Sequence, residues 1–340
     1  MGTASSLNYF VHWNTLGADE RDEDAPVKVP AVLAATWGDG LFVVTGETTH
    51  HELARRPVMA LASDGQGGAL AIVDGHVLYR RTSDGVWNTI ATSPLQLTCS
   101  VAVGDVIYVG TDDARILRVT ANGRIEQLGG FDAVPGRETW YAGSAVINGQ
   151  RVGPPLGIRS MTATSDGVAL LANVHVGGIP RSTDGGETWQ PTIDVGSDVH
   201  EVCAHPTYPG VVIAAAAIGL CISRDGGATW TVEQNGLHAS YCSAVAFSGN
   251  DILVSASADH FATQGAVYRR PIDGHGPLVP VGGGLPRWIE GIADTRCIAT
   301  RASALAVADR TSNLYVSADA GRTWSRRAEG LPTTSSVLIV

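Results

Sequence analysis

Apolar residues along this chain come in short runs broken by glycine, aspartate and asparagine. No stretch carries the three-to-four spacing of a long amphipathic helix, and the runs read as strands closed by tight turns. The longest apolar run, Val211–Ile218, suits one buried strand and falls far short of the ~20 residues of a membrane span. The pattern repeats. Residues Ile158–Thr192 (IRSMTATSDGVALLANVHVGGIPRSTDGGETWQPT) read as strand, turn, strand, loop, strand, tight turn, strand, and Val199–Glu233 follows the same order. Weaker copies start near Val58, Thr98, Tyr241 and Thr295, with the hairpins YRRTSDGVW, RVTANGRIE and YRRPIDGHG at the last turn. Residues Val29–Thr45 add a partial unit that the terminal SSVLIV would complete.

Four strands per ~40-residue repeat is the signature of a propeller blade, which buries both faces only when stacked in a closed ring. The predicted fold is all-β: a β-propeller of seven four-stranded blades, six being the alternative count. The C-terminal strand is expected to close it by pairing with the N-terminal blade. Residues 1–27 form an N-terminal extension with an acidic segment, DERDED at Asp19–Asp24. Residues 28–340 form a single propeller domain with an insertion loop at 131–157, an excursion long enough to serve as a lid or pocket wall.

Composition narrows the partners. A net charge of −10 argues against nucleic acid or an anionic membrane as partner, since both need a positive surface. The N-terminus shows no basic stretch followed by an apolar core, so no secretory signal is read there. Five cysteines without a C-x-x-C pair argue against a disulfide framework or a thiolate zinc site. These features together predict a cytoplasmic protein.

Three octapeptides stand out: STDGGETW (Ser182–Trp189), SRDGGATW (Ser223–Trp230) and SADAGRTW (Ser317–Trp324). They resemble the Asp-box, or BNR repeat, S-x-D-x-G-x-T-W, carried by sialidases, sortilin-type receptors and photosystem II assembly propellers. The residue types suit a structural turn: Asp184, Asp225 and Asp319 to accept backbone N–H groups, glycine for positive φ, and Trp189, Trp230 and Trp324 to pack on the blade.

Propeller geometry places that turn on one end of the ring. The opposite end takes the links between blades and the loops joining second to third strands. On that end the chain sets Arg159, His200, Tyr241 and Arg296 at the openings of inner strands. His175, His260, Asp112, Asp113 and Asp309 fall in the second-to-third loops, with His50, His51 and Arg55 at the partial blade and Trp140 and Tyr141 in the insertion. Polar and aromatic outliers thus gather at one mouth. Each has a plainer use, since such a side chain can satisfy carbonyls lining a wet channel.

Three readings of that mouth follow. The first is a small-molecule site for an anionic ligand held by Arg159 and Arg296, with His175 or His200 as acid or base in a lyase or isomerase. Within this reading a divalent metal could be drawn from His175, His200, His50 and His51. The second is a sialidase-like hydrolase. Ala54–Trp87 is similar to a sialidase opening, which implies Arg55, Arg159 and Arg296 as a carboxylate clamp and Tyr241 as nucleophile, with Glu201 beside it. The third is a non-catalytic propeller that binds a protein partner through a groove containing Trp140 and Tyr141.

Overall fold

The computed structural model describes residues 30–141, 145–147, 150–152 and 156–340. The N-terminal extension at 1–27 lies outside the described residues, as does part of the insertion. Beyond Tyr141 the insertion is described only as a backbone hairpin pairing Ala145–Ile147 with Gln150–Val152.

Seven antiparallel sheets form the ring. In chain order, blade 1 spans Val58–Thr92, blade 2 Leu97–Gln127, blade 3 Ile158–Pro191, blade 4 Val199–Glu233, blade 5 Tyr241–Pro280 and blade 6 Ile298–Ala328. Blade 7 is composite. Its inner strand is the C-terminal Thr334–Ile339, and Val32–Thr36, Leu41–Thr45 and Thr48–Glu52 follow outward. Leu33 pairs with Leu338 and Ala35 with Ser336, so the two chain ends close the ring.

The core lies between the blades. Each second strand is covered on both faces, so Ala69–Val73, Leu170–Val174, Val212–Ala216 and Ala304–Ala308 are buried at every position. That is why these strands read as unbroken apolar runs instead of alternating. Ala60, Leu70 and Ile72 of blade 1 pack on Ile107, Val109 and Leu117 of blade 2, and similar clusters join the other neighbours.

The Asp-box turns lie at the end carrying the first-to-second loops: Gly226 N–H donates to Gly210 O at 2.9 Å, and Ala320 N–H to Ser303 O at 2.7 Å. All three share one hydrogen-bond scheme. Asp184 accepts from Ser182 Oγ (2.8 Å), Thr188 N–H (2.9 Å) and Thr188 Oγ1 (2.6 Å), and Asp225 and Asp319 repeat it with Thr229 and Thr323. Gly186 sits at φ +92°, where a Cβ would strike Leu128. Trp189 is buried and donates Nε1–H to Gly186 O at 2.8 Å. Blades 1 and 2 keep a reduced version in which Thr82 bonds Asp84, and Thr120 bonds Asn122 at 2.6 Å.

One irregularity recurs at the other end. In six blades the register of the inner strand slips by one residue at its opening, leaving Met59, Thr98, Arg159, His200, Ser243 and Ser335 as the extra residues. A bulge re-aims the side chain it carries. Here it turns Arg159 across the ring, whereas His200, 1 % exposed, packs against Tyr241 and Cys242 of blade 5.

Candidate functional site

Arg159 of blade 3 extends far across the ring. Its Nη2 donates to Thr295 Oγ1 at 2.9 Å, in the link entering blade 6, and lies 3.5 Å from the Asp294 carboxylate. Its Nη1 donates to His175 Nε2 at 2.8 Å. His175 follows the second strand of blade 3, and its Nε2 is 3.7 Å from Asp198 Oδ1. The other Asp198 oxygen lies 3.7 Å from His200 Nε2. Asp198 thus stands between the two imidazoles, at φ +47°, a region most side chains avoid and Asp tolerates better. Tyr241 stacks at an angle on His200, with ring centroids 4.5 Å apart.

Electrostatics follow from this packing. Burial, reinforced by the Arg159 charge, pushes His175 down to about 3, so its imidazole is neutral at ordinary pH. Burial would raise the Asp198 carboxyl, but His200, His175 and Arg159 outweigh it and hold it below its ordinary range. Asp294 behaves alike, with Arg159 the main attraction opposing burial. Burial raises the Tyr241 phenol, the opposite of what a phenolate nucleophile requires.

Of the expected residues, Arg159, His175, His200, Tyr241 and Arg296 come together, but Arg296 does not face outward. Its Nη1 donates to Arg159 O at 2.5 Å and Thr98 O at 3.4 Å, joining blade 6 to blades 3 and 2 across the ring. Glu201, one residue past His200, accepts from the backbone N–H of Val245 at 3.0 Å and of Arg296 at 3.1 Å. It keys blades 4, 5 and 6 together.

His260 lies near enough to Asp294 and Arg159 to feel their charges, while others stand apart. His50 and His51 lie on the outermost strand of blade 7, paired with Val43 and Phe42, and His51 stacks on Phe42 at 4.4 Å. A strand at the rim cannot deliver imidazoles to residues on the innermost strands, so the four-histidine metal set does not assemble. Arg55 sits in the link leaving that rim strand, its backbone N–H bonded to Asp39 Oδ1 at 2.8 Å. The three-arginine clamp therefore does not assemble either. Trp140 is buried against Phe131, in the same core cluster as the Asp-box residue Trp189, where it serves the core. Tyr141 is half-exposed and its backbone pairs with Val176, beside the His175 loop.

Asp198, Asp294 and Thr295 are the residues the sequence reading passed over. A signal existed: SDVH and ADTR both place an aspartate two residues ahead of a basic inner-strand opener.

Comparison with known proteins agrees with this architecture. The BNR/Asp-box repeat model matches residues 181–191. No curated protein matches the chain in sequence. Among solved structures, a GH74 enzyme from Niastella koreensis superposes with a TM-score of 0.58 at 14 % identity, over 88 % of this chain and 46 % of that one. The chain thus spans less than half the length of that enzyme. A putative 6-phosphogluconolactonase from Bacteroides uniformis aligns with a TM-score of 0.63 at 12 % identity, over 92 % and 100 %. A structure of YCF48 bound to D1 peptide aligns with a TM-score of 0.51 at 12 % identity, over 79 % and 81 %. At such identities the likeness is one of fold. With three Asp-box turns and seven sheets in a ring, the chain is a seven-bladed β-propeller that carries BNR/Asp-box repeats.

Proposed function

We propose that the mouth opposite the Asp-boxes binds a small anionic molecule, with Arg159 as the group that takes its charge. One observation carries this reading. The nearest hydrogen-bond partners of Arg159 are the lone pair of an imidazole and a hydroxyl, and the carboxylate at ion-pair distance, Asp294, stays at 3.5 Å. A guanidinium held this way, a quarter exposed, keeps charge for an incoming carboxylate or phosphate. His175 and His200 flank the same space and suit proton transfer to such a ligand.

The test is a thermal-shift and calorimetric screen of small carboxylates and phosphate esters. Arg159→Ala is expected to lose binding while Arg55→Ala, at the rim, keeps it. Equal binding by both variants would remove this reading.

A second reading has its own support. Trp37 at blade 7 and Phe261 and Trp288 at blade 5, in top-end segments, are exposed by 45 %, 76 % and 41 %. Aromatics on that rim suit an extended peptide lying across the mouth, and YCF48, a structural neighbour, is bound to a peptide in its structure. Substituting Phe261 and Trp288 by serine would weaken a peptide partner and leave small-anion binding intact.

A further inference from the structure

We infer that His175, Asp198 and His200 form a binding site for a divalent first-row transition metal. Each offers one ligand atom, and the three atoms lie within 4.8 Å of one another. The orientation of His200 is the telling feature. Its Nδ1 lies 2.5 Å from Cys242 O, and a carbonyl can only accept, so the proton sits on Nδ1 and the Nε2 lone pair points the other way. A backbone carbonyl fixing the far nitrogen is the usual support of a metal-ligating histidine.

That Nε2 is buried and makes no hydrogen bond, and the same holds for Asp198 Oδ1. Buried polar atoms left without a proton or cation to meet them are costly. A metal ion among the three atoms satisfies both. The donor set, two imidazoles and one carboxylate, suits zinc, iron, cobalt or manganese and is a poor fit to calcium or magnesium, which take oxygen ligands. Tetrahedral donors around such an ion stand about 3.4 Å apart. The two His–Asp separations of 3.7 Å run to different Asp198 oxygens, so loading the ion requires the carboxylate to turn or to bind by both oxygens and the donors, now within 4.8 Å, to draw inward.

The ion also changes what Arg159 can do. Its Nη1 now donates to the lone pair of His175 that the metal would take. Coordination releases that N–H toward the solvent side, where it can meet an anion that fills an open metal position. For this second step the inference rests on the anion-binding reading above, and it makes the ligand class a metal-chelating carboxylate.

The full-length protein, stripped with a chelator, is titrated with Zn²⁺ alone by calorimetry and with Co²⁺ alone by visible absorption, no anion being added. One equivalent is expected. Asp198→Asn, which keeps a residue that tolerates the left-handed backbone, and His200→Ala should each weaken binding at least about a hundredfold, the upper end of losses seen for supporting residues. The His50→Ala/His51→Ala pair should leave it unchanged. Should His200→Ala fail to fold, Asp198→Asn and His175→Ala decide the matter.

Absence of binding by the wild type overturns the site. So does equal binding by Asp198→Asn and wild type, which would mark an adventitious ion only, held by surface histidines. A carboxylate that binds the chelated protein as well as the metal-loaded one would leave the anion site standing and remove its link to the metal.

Discussion

At the scale of single residues, a buried carboxylate is the group most in need of partners, and Glu201 finds them in two backbone N–H groups from other blades. Burial still raises its pKa to about 7. Glu201→Ala leaves both amides unsatisfied and should cost about 2 kcal/mol by chemical denaturation, whereas Glu201→Gln, which keeps an acceptor, should cost less. The Asp-box aspartates behave in the opposite sense. Thr188 and Ser182 hold Asp184 at about 2, and Thr323 and Ser317 do the same for Asp319. Folded values below the unfolded carboxylate value of about 4 mean a stabilisation present above that pH and lost as pH falls toward 2. The melting temperature should therefore drop over that window, and Asp184→Asn with Asp319→Asn should flatten the drop. Residue-level legibility was uneven. Arg159, His175 and His200 were found because they open or follow inner strands. The fate of Arg296 was hidden, since the carbonyls it binds lie 137 and 198 residues away in sequence.

At the scale of elements, the strands were legible and the bulges were not. Covered second strands announce themselves as apolar runs, and the hairpin turns by their glycines. A one-residue slip changes no composition, yet it decides that Arg159 reaches across the ring and His200 meets Asp198 while Glu201 faces its neighbours. The Asp-box is the strongest element signal, and its role is support. Trp189→Ala removes a buried ring packed against Phe131 and should cost about 3–5 kcal/mol while leaving ligand binding unchanged. Arg159→Ala should remove ligand binding at a smaller cost in stability, about 1–2 kcal/mol for its lost bonds to His175 and Thr295. Trp140 misled as a pocket residue for a local reason. The short helix Gly129–Asp132 ahead of it brings Phe131 under its ring, and Arg137 covers the ring with its guanidinium 5.0 Å from the centroid.

At the scale of the whole molecule, blade count and closure were both legible, because a partial unit at one end and a lone strand at the other can only complete each other. The contacts of Arg159 and Arg296 across the ring were not. They cross-link blades 2, 3 and 6 at the mouth, so the ring gains rigidity from polar bonds there. Removing residues 333–340 would expose both the Val32–Thr36 edge and the flank of blade 6. The truncated chain should lose its single cooperative transition and associate, as size-exclusion chromatography would report.

That closure also sets an order of events during synthesis. The inner strand of blade 7 is made after blades 1 to 6 and its partner Val32–Thr36 before them, so that partner must wait as an unpaired edge while six blades assemble beside it. Until the inner strand is made, the growing ring keeps an edge open to pairing with other chains.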